Sequence, residues 1–351
     1  MRLSDLPKPS PDFTRLKNVL TGERPPDRLP LVDLLVDQAL KEKVLGRPTV
    51  SDFTNDPEDG RKRIDDEIEF RHKLGYDYID VCPFMYFGAA YQVSEQSDRS
   101  WISEATSTIR NRQDFERHFW PDPQALDYAQ LEYAASVLPD GMMSIPRVGG
   151  LFENVVFLTG IEGLSYMLVD DPPLVDELFA KVGAIVLSAA ENLLQAPRVG
   201  ALFVGEDLGF QTGTMLSPNH LRKYVFPWHK KMVAAAHKRG VSYLLHSCGN
   251  IEGIMEDLIE DVGIDARHSF QDKILPVEEA VSRYSDRIAI LGGVDMDLLT
   301  RGTEEEVRAR VREIIETCAP SGRFALGTGN SVASYLNPDN YLAMLDEARR
   351  E

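Results

Sequence analysis

Cysteine is scarce in this chain. Only Cys82, Cys248 and Cys318 occur among 351 residues, too few and too scattered for a disulfide framework, so a reducing compartment is expected. Positive charge is short as well: 38 Lys and Arg against 56 Asp and Glu leave a net charge of −18. A field of that sign disfavours nucleic acid and anionic membrane surfaces as partners. It also disfavours a strongly anionic substrate, unless a basic pocket offsets it locally. No apolar run approaches the length of a membrane span, and no basic n-region with an apolar h-region opens the chain. The expectation is a cytoplasmic protein. No G-x-G-x-x-G turn follows an early strand candidate, which argues against a doubly wound dinucleotide-binding sheet.

What remains is an ordinary globular composition, with 43% hydrophobic and 27% charged residues. Eight strand candidates recur along it, at residues 28–37, 76–83, 142–148, 201–207, 241–248, 264–270, 287–295 and 323–330. Helical sequence separates each from the next: 38–45 and 57–74, 123–137, one or two long helices over 151–195 broken near 170–173, a helix running from Ser217-Pro218 toward 238, then 251–262, 277–284, 304–316 and a last one from Asn337. Residues 84–110 lack helical period and read as an insertion after the second strand, with a hairpin in it. An eightfold strand–helix alternation predicts an α/β fold, a single (β/α)8 TIM barrel. Residues 1–26, polar and spotted with proline, form an N-terminal arm with a helix near 13–20, and residues 27–351 form the barrel.

The stretch around which the rest is organised is Val241-Ser242-Tyr243-Leu244-Leu245-His246-Ser247-Cys248-Gly249-Asn250. A buried strand here runs straight into a histidine and a cysteine two residues apart. Period-2 alternation puts both on one face with Cα atoms roughly 6.5 Å apart, close enough to converge on one ion or substrate. Asn250 is placed to cap the following helix.

In a barrel the strand ends gather at one mouth. They bring Asp33, Asp37, Asp80, Cys82, Arg147, Glu206, Asp207, His246, Cys248, Gln271, Asp295, Thr328 and Asn330 to it. Asp37, Gln271 and Thr328 read most simply as strand terminators and loop caps, although Asp37 and Gln271 are also candidate substrate contacts. Arg147 either pairs with Glu153 or holds a substrate carboxylate. Strands four and five are neighbours, so Glu206 or Asp207 should approach His246. A carboxylate beside an imidazole serves as a general acid/base pair, a metal site or a structural hydrogen bond.

Several of these stretches resemble the uroporphyrinogen decarboxylase superfamily: Leu245-His246-Ser247-Cys248-Gly249-Asn250, Gly205-Glu206-Asp207-Leu208-Gly209 with Ser217-Pro218, Ile290-Leu291-Gly292-Gly293-Val294-Asp295, and Thr328-Gly329-Asn330. The resemblance covers roughly residues 27–350 and implies the same (β/α)8 barrel. It offers two chemistries. The decarboxylases act without a cofactor on a polycarboxylated porphyrinogen, using arginines near the first strand and an aspartate that Asp80 resembles. Here residues 29–37 present Asp33 and Asp37 where that basic clamp should be, with Arg147 the one cation among the mouth residues named above, so electrostatics disfavours this reading.

The other branch, the cobalamin-linked methyltransferases, holds zinc through a histidine and cysteine like His246 and Cys248. Its third ligand is a cysteine whose matching position here is Asn330, a poor zinc ligand. Glu206, or else Asp207, is then expected to complete the site. The resemblance thus implies a methyltransferase or demethylase working with zinc, a corrinoid protein and a small methyl donor or acceptor, with a homodimer as the possible assembly. His246, Glu206 and Asp207 would be its catalytic groups, and Asp80, Arg147, Asp37, Asn330 and Gln271 its substrate contacts. A barrel that only binds a tetrapyrrole or a protein partner is the third reading.

Overall fold

The computed structural model describes residues 3–51, 56–83, 85–88, 92–93, 100–101 and 107–350. Seven parallel strands make its main sheet: β1 (Tyr78–Val81), β4 (Met143–Gly149), β5 (Ala201–Gly205), β6 (Ser242–His246), β7 (Ala266–His268), β8 (Ala289–Leu291) and β9 (Phe324–Ala325), hydrogen-bonded in that order. Helices separate them in the chain, as parallel neighbours require. The sheet is buried on both faces, which is why β5 and β6 read as continuous apolar runs. Inside the expected insertion, β2 (Gln92–Val93) and β3 (Ser100–Trp101) pair antiparallel as a hairpin; residues 84, 89–91, 94–99 and 102–106 of that insertion lie outside the described residues.

The expected first strand is not a strand. Residues 28–37 meet β9's chain through isolated bridges, Leu31 to Leu326 and Val36 to Val332. Toward β1 they meet no ladder: the Tyr78 hydroxyl donates to the Asp33 carbonyl at 2.7 Å and accepts from the Asp33 N–H at 3.0 Å. Pro30 has no N–H to give, and Asp33 is turned into the protein, so side chains replace the ladder. The eight barrel strands expected from the sequence become seven in the parallel sheet among the described residues.

A buried polar seam holds this segment. The Asp33 carboxylate accepts from the Thr328 N–H at 2.8 Å, the Thr328 hydroxyl at 2.7 Å, the Tyr341 hydroxyl at 3.1 Å and the Tyr76 hydroxyl. Arg71, fully buried in the helix Pro57–Leu74, lies over the rings of Tyr76 and Tyr78. It donates to Glu67 at 2.7 Å, and Lys41 closes on the other Glu67 oxygen at 2.9 Å.

Other helices follow their sequence signals. Asp56 caps Pro57–Leu74, and Asn337 caps Pro338–Ala348. Thr303 and Glu306 form a capping box for Glu304–Cys318. The long helical region breaks twice rather than once, giving Leu151–Thr159, Ile161–Asp170 and Pro172–Leu193, because Gly160 turns the chain by 90° before the break at Asp171. The expected helix 251–262 is a 3₁₀ turn, Glu252–Ile254, followed by a wide turn over Asp257–Val262. Residues of the N-terminal arm are core rather than appendage: Phe13, Leu16, Val19 and Leu20 are buried, and Phe13 packs on Gly200 just ahead of β5. No single helix among the described residues is long and apolar enough to cross a membrane.

Burial alone would push the Glu67 carboxyl up, but Lys41 and Arg71 overcome it and hold Glu67 at about 2, against an ordinary 4.5. A carboxyl depressed on folding stabilises fully above its unfolded value and loses that contribution as pH falls toward the folded one. Stability on the order of 3 kcal/mol should therefore disappear between about pH 4.5 and 2. Urea unfolding across that range should show it in the wild type, with a flatter pH dependence and lower stability at neutral pH in Glu67→Gln.

Candidate functional site

Strand register places the site. Gly149, Gly205, His246 and His268 stand side by side at the carboxyl ends of β4 to β7. Parallel partners share a face, so Arg147, paired with Phe203 and through it with Leu244, shares the face of His246. Cys248, two residues beyond His246, lies there as well, with Sγ 3.4 Å from His246 Nε2. Asp207, two residues beyond Gly205, completes the group: its Oδ1 is 3.6 Å from the same Nε2 and accepts from the Cys248 N–H at 3.1 Å. Ligand atoms of Asp207, His246 and Cys248 all lie within 4.8 Å of one another.

Glu206 is elsewhere, which corrects its expected role as third metal ligand and catalytic group. One residue after Gly205, it points outward to the helix layer and is completely buried. Its oxygens accept from the N–H groups of Glu153 at 2.9 Å and Phe152 at 3.2 Å, the amino end of Leu151–Thr159, where a carboxylate meets the positive end of the helix dipole. His229 Nε2 contacts it at 3.2 Å, and His229 Nδ1 reaches the Tyr243 hydroxyl at 2.6 Å. Gly150 makes room: a Cβ there would stand 2.3 Å from the Glu206 carboxyl carbon.

Asn330 approaches as expected but as a hydrogen-bond donor, Nδ2 to Cys248 Sγ at 3.2 Å. Its Oδ1 accepts from the Ser331 N–H at 2.7 Å, so the amide oxygen is turned away from the three ligand atoms. Asp80 and Arg147 bind one another in a two-pronged pair at 3.2 and 3.1 Å. That geometry shows Asp80 orienting Arg147, a partner beyond the Glu153 and substrate carboxylate expected from the sequence. Asp37 secures its loop by accepting from the Ser334 N–H at 2.8 Å. Gln271 is exposed, and its carbonyl caps the turn to Ile274 and Leu275. A surface cavity of about 370 Å³ between Ser107–Asn111 and the helix Ile161–Asp170 contains none of these residues.

Burial and neighbouring charge shift two of the three candidate ligands in opposite directions. Burial pushes the Cys248 thiol well up, and the neighbouring Asp207 carboxylate adds to the shift. Asp207 is pulled the other way: burial opposes its charge, but His246 and the Cys248 contacts keep it below the usual carboxylate range. Its side chain retains 42% exposure, leaving one open side to the group. Glu153 is raised well above the usual carboxyl range by burial and by the charges of Asp207 and Glu206. With His246 neutral, a thiolate and a carboxylate would balance a divalent ion, and thiolate, imidazole and carboxylate are zinc donors.

Sequence reasoning passed over His229 and His268. Both are fully buried; His268 touches His246, and His229 touches the outward-facing Glu206. His268 ends the strand next to β6 at the level of His246, so aligning the strand ends would have found it. Nothing in the helical run around His229 sets it apart from a core residue.

Comparison with known proteins places the chain in context. A family model described as uroporphyrinogen decarboxylase matches residues 84–351. Uroporphyrinogen decarboxylase of Thioalkalivibrio sulfidiphilus (strain HL-EbGR7) is 26% identical over 189 residues, 52% of this chain and 51% of the relative, so the match spans about half of each. Among solved structures, a methyltransferase from Methanosarcina mazei superposes with a TM-score of 0.71 at 17% identity, covering 96% of this chain and 98% of that one. At that identity the likeness is one of fold.

Replacing Glu206 with alanine would leave His229 and two helix N–H groups without their buried acceptor. Loss of a buried charged partner costs about 3–5 kcal/mol. Urea denaturation of Glu206→Ala should show a loss of that order, with any bound metal retained at urea concentrations where the fold persists.

Proposed function

The chain belongs to the uroporphyrinogen decarboxylase family, and from that premise we propose that it moves a methyl group between a small substrate and a corrinoid protein, with zinc held by Asp207, His246 and Cys248. The observation that carries this reading is the convergence of three donor atoms within 4.8 Å on the inward face of the strand ends. Zinc held there would supply Lewis acidity to the group that gives or receives the methyl.

The protein's own residues supply the rest. Three protein donors is the number used by catalytic zinc sites, which keep a further position for substrate, and the exposed side of Asp207 is where substrate enters. Asn330 donates to Sγ and so moderates the thiolate's charge. Arg147, oriented by Asp80, is the cation that meets the substrate's polar end. Glu153, raised well above the usual carboxyl range by burial and by the charges of Asp207 and Glu206, is shifted toward its neutral form beside the ion.

A second reading, decarboxylation without a cofactor, draws on the description of the family and of its T. sulfidiphilus member, and on Asp80 at the end of β1. Against it stand the residues 29–37, which bring Asp33 and Asp37 rather than a cationic clamp: Asp33 is sealed in a hydroxyl network and Asp37 in a loop. Metal content separates the two readings.

Protein purified without chelators or added metal should carry about one equivalent of zinc by elemental analysis, and His246→Ala, Cys248→Ala and Asp207→Ala should each lose it while remaining folded. Asp80→Ala and Arg147→Ala should keep the metal and lose substrate binding or turnover. A wild type with no stoichiometric metal and no response to zinc would hand the site to the decarboxylase reading.

A further inference from the structure

His268 ends β7 directly beside His246 and is fully buried. Its two ring nitrogens have different partners. Nδ1 lies 2.7 Å from Nδ1 of His246, and Nε2 lies 3.3 Å from the Thr328 carbonyl oxygen. A carbonyl can only accept, so Nε2 of His268 carries a hydrogen. In a neutral ring the lone pair is then on Nδ1. His246 must donate to it from its own Nδ1, and the neutral His246 that can ligate an ion then carries its lone pair on Nε2. That is the atom 3.4 Å from Cys248 Sγ and 3.6 Å from Asp207 Oδ1.

The reverse arrangement needs His268 as a cation. Among the described residues no carboxylate hydrogen-bonds it, and its ring is fully buried, where an unpaired charge is costly. The ring is also confined in place: the Phe203 ring meets it edge-on at 5.9 Å, and a Cβ on Gly292 would stand 2.8 Å from its Cδ2.

We propose that His268 is the positioning residue of the ion site: it holds His246 in the Nδ1–H tautomer and so aims the Nε2 lone pair at the point shared with Asp207 and Cys248. This deepens the zinc reading above and rests on it, although the tautomer itself needs no ion. Histidine ligands commonly give their second N–H to a carboxylate or carbonyl. A neutral imidazole in that place orients the ligand without adding charge, which keeps the site electroneutral with a divalent ion.

The first test is nitrogen–proton correlation spectroscopy of the full-length, metal-free protein. It should find His246 protonated on Nδ1 and His268 on Nε2. The second compares two substitutions by zinc competition against a chelator. His268→Asn keeps an acceptor close to the former Nδ1, whereas His268→Gln keeps a donor toward Thr328 and loses that acceptor. His268→Gln should weaken zinc binding 10–100-fold and His268→Asn only a few-fold, with circular dichroism unchanged in both. Opposite tautomers, a protonated His268, or equal affinities in the two variants would overturn the proposal. Tautomers as stated in a wild type that binds no zinc would instead overturn the zinc reading alone.

Discussion

Strand register is the constraint on which the site depends. Gly205, His246 and His268 share one level across three adjacent strands, and the two-residue period of a strand then assigns every neighbour to a face. Asp207 and Cys248, each two residues further on, fall inward with His246. Glu206 falls outward onto a helix end. A slip of one residue between β5 and β6 would exchange the two carboxylates, putting Asp207 against the helix end and His229 and leaving Glu206 facing the cysteine. The ladder of five paired residues between these strands makes that slip costly.

A second constraint lies at the sheet's two edges, where side chains do what backbone does elsewhere. Asp33, Tyr76, Tyr78, Tyr341 and Thr328 connect the chain before β1 to the chain after β9. Arg71, Glu67 and Lys41 compensate charge around them. A hydroxyl network is directional where hydrophobic contact is not, so it fixes one arrangement of the irregular segment. Thr328 belongs to both regions, since its side chain serves Asp33 and its carbonyl serves His268. The polar seam and the candidate site are therefore joined through one residue.

Much of this was legible beforehand, for reasons that can be named. Parallel strands buried on both faces are continuous apolar runs closed by Gly, Pro or Asp, and seven of the expected strands appear where those runs lie. Period 2 alone was enough to bring His246 and Cys248 together. The same double burial hid the parity of β5: Ala201, Leu202, Phe203 and Val204 are all apolar, so no alternation showed which of Glu206 and Asp207 faced inward. Residues 28–37 carried a strand's composition, but their pairing was decided by Tyr78 and Thr328, far away in sequence. His246 and His268 meet across 22 residues, a relation that belongs to register and not to any local motif.

The loops after β5 and β6 are bound to each other as firmly as to their own strands. Gly209 and Gly249 pack backbone on backbone, so closely that a Cβ on Gly249, itself at φ +75°, would stand 2.3 Å from Gly209. Asn250 donates to the Phe210 carbonyl at 2.7 Å, Leu208 N–H to the Ser247 hydroxyl at 3.1 Å, and Cys248 N–H to Asp207. Two segments tied at so many points form a single structural unit. The separation between a carboxylate on one and a sulfur on the other is then set by backbone contacts rather than by side-chain rotamers alone, which preorganises the donor atoms before anything binds.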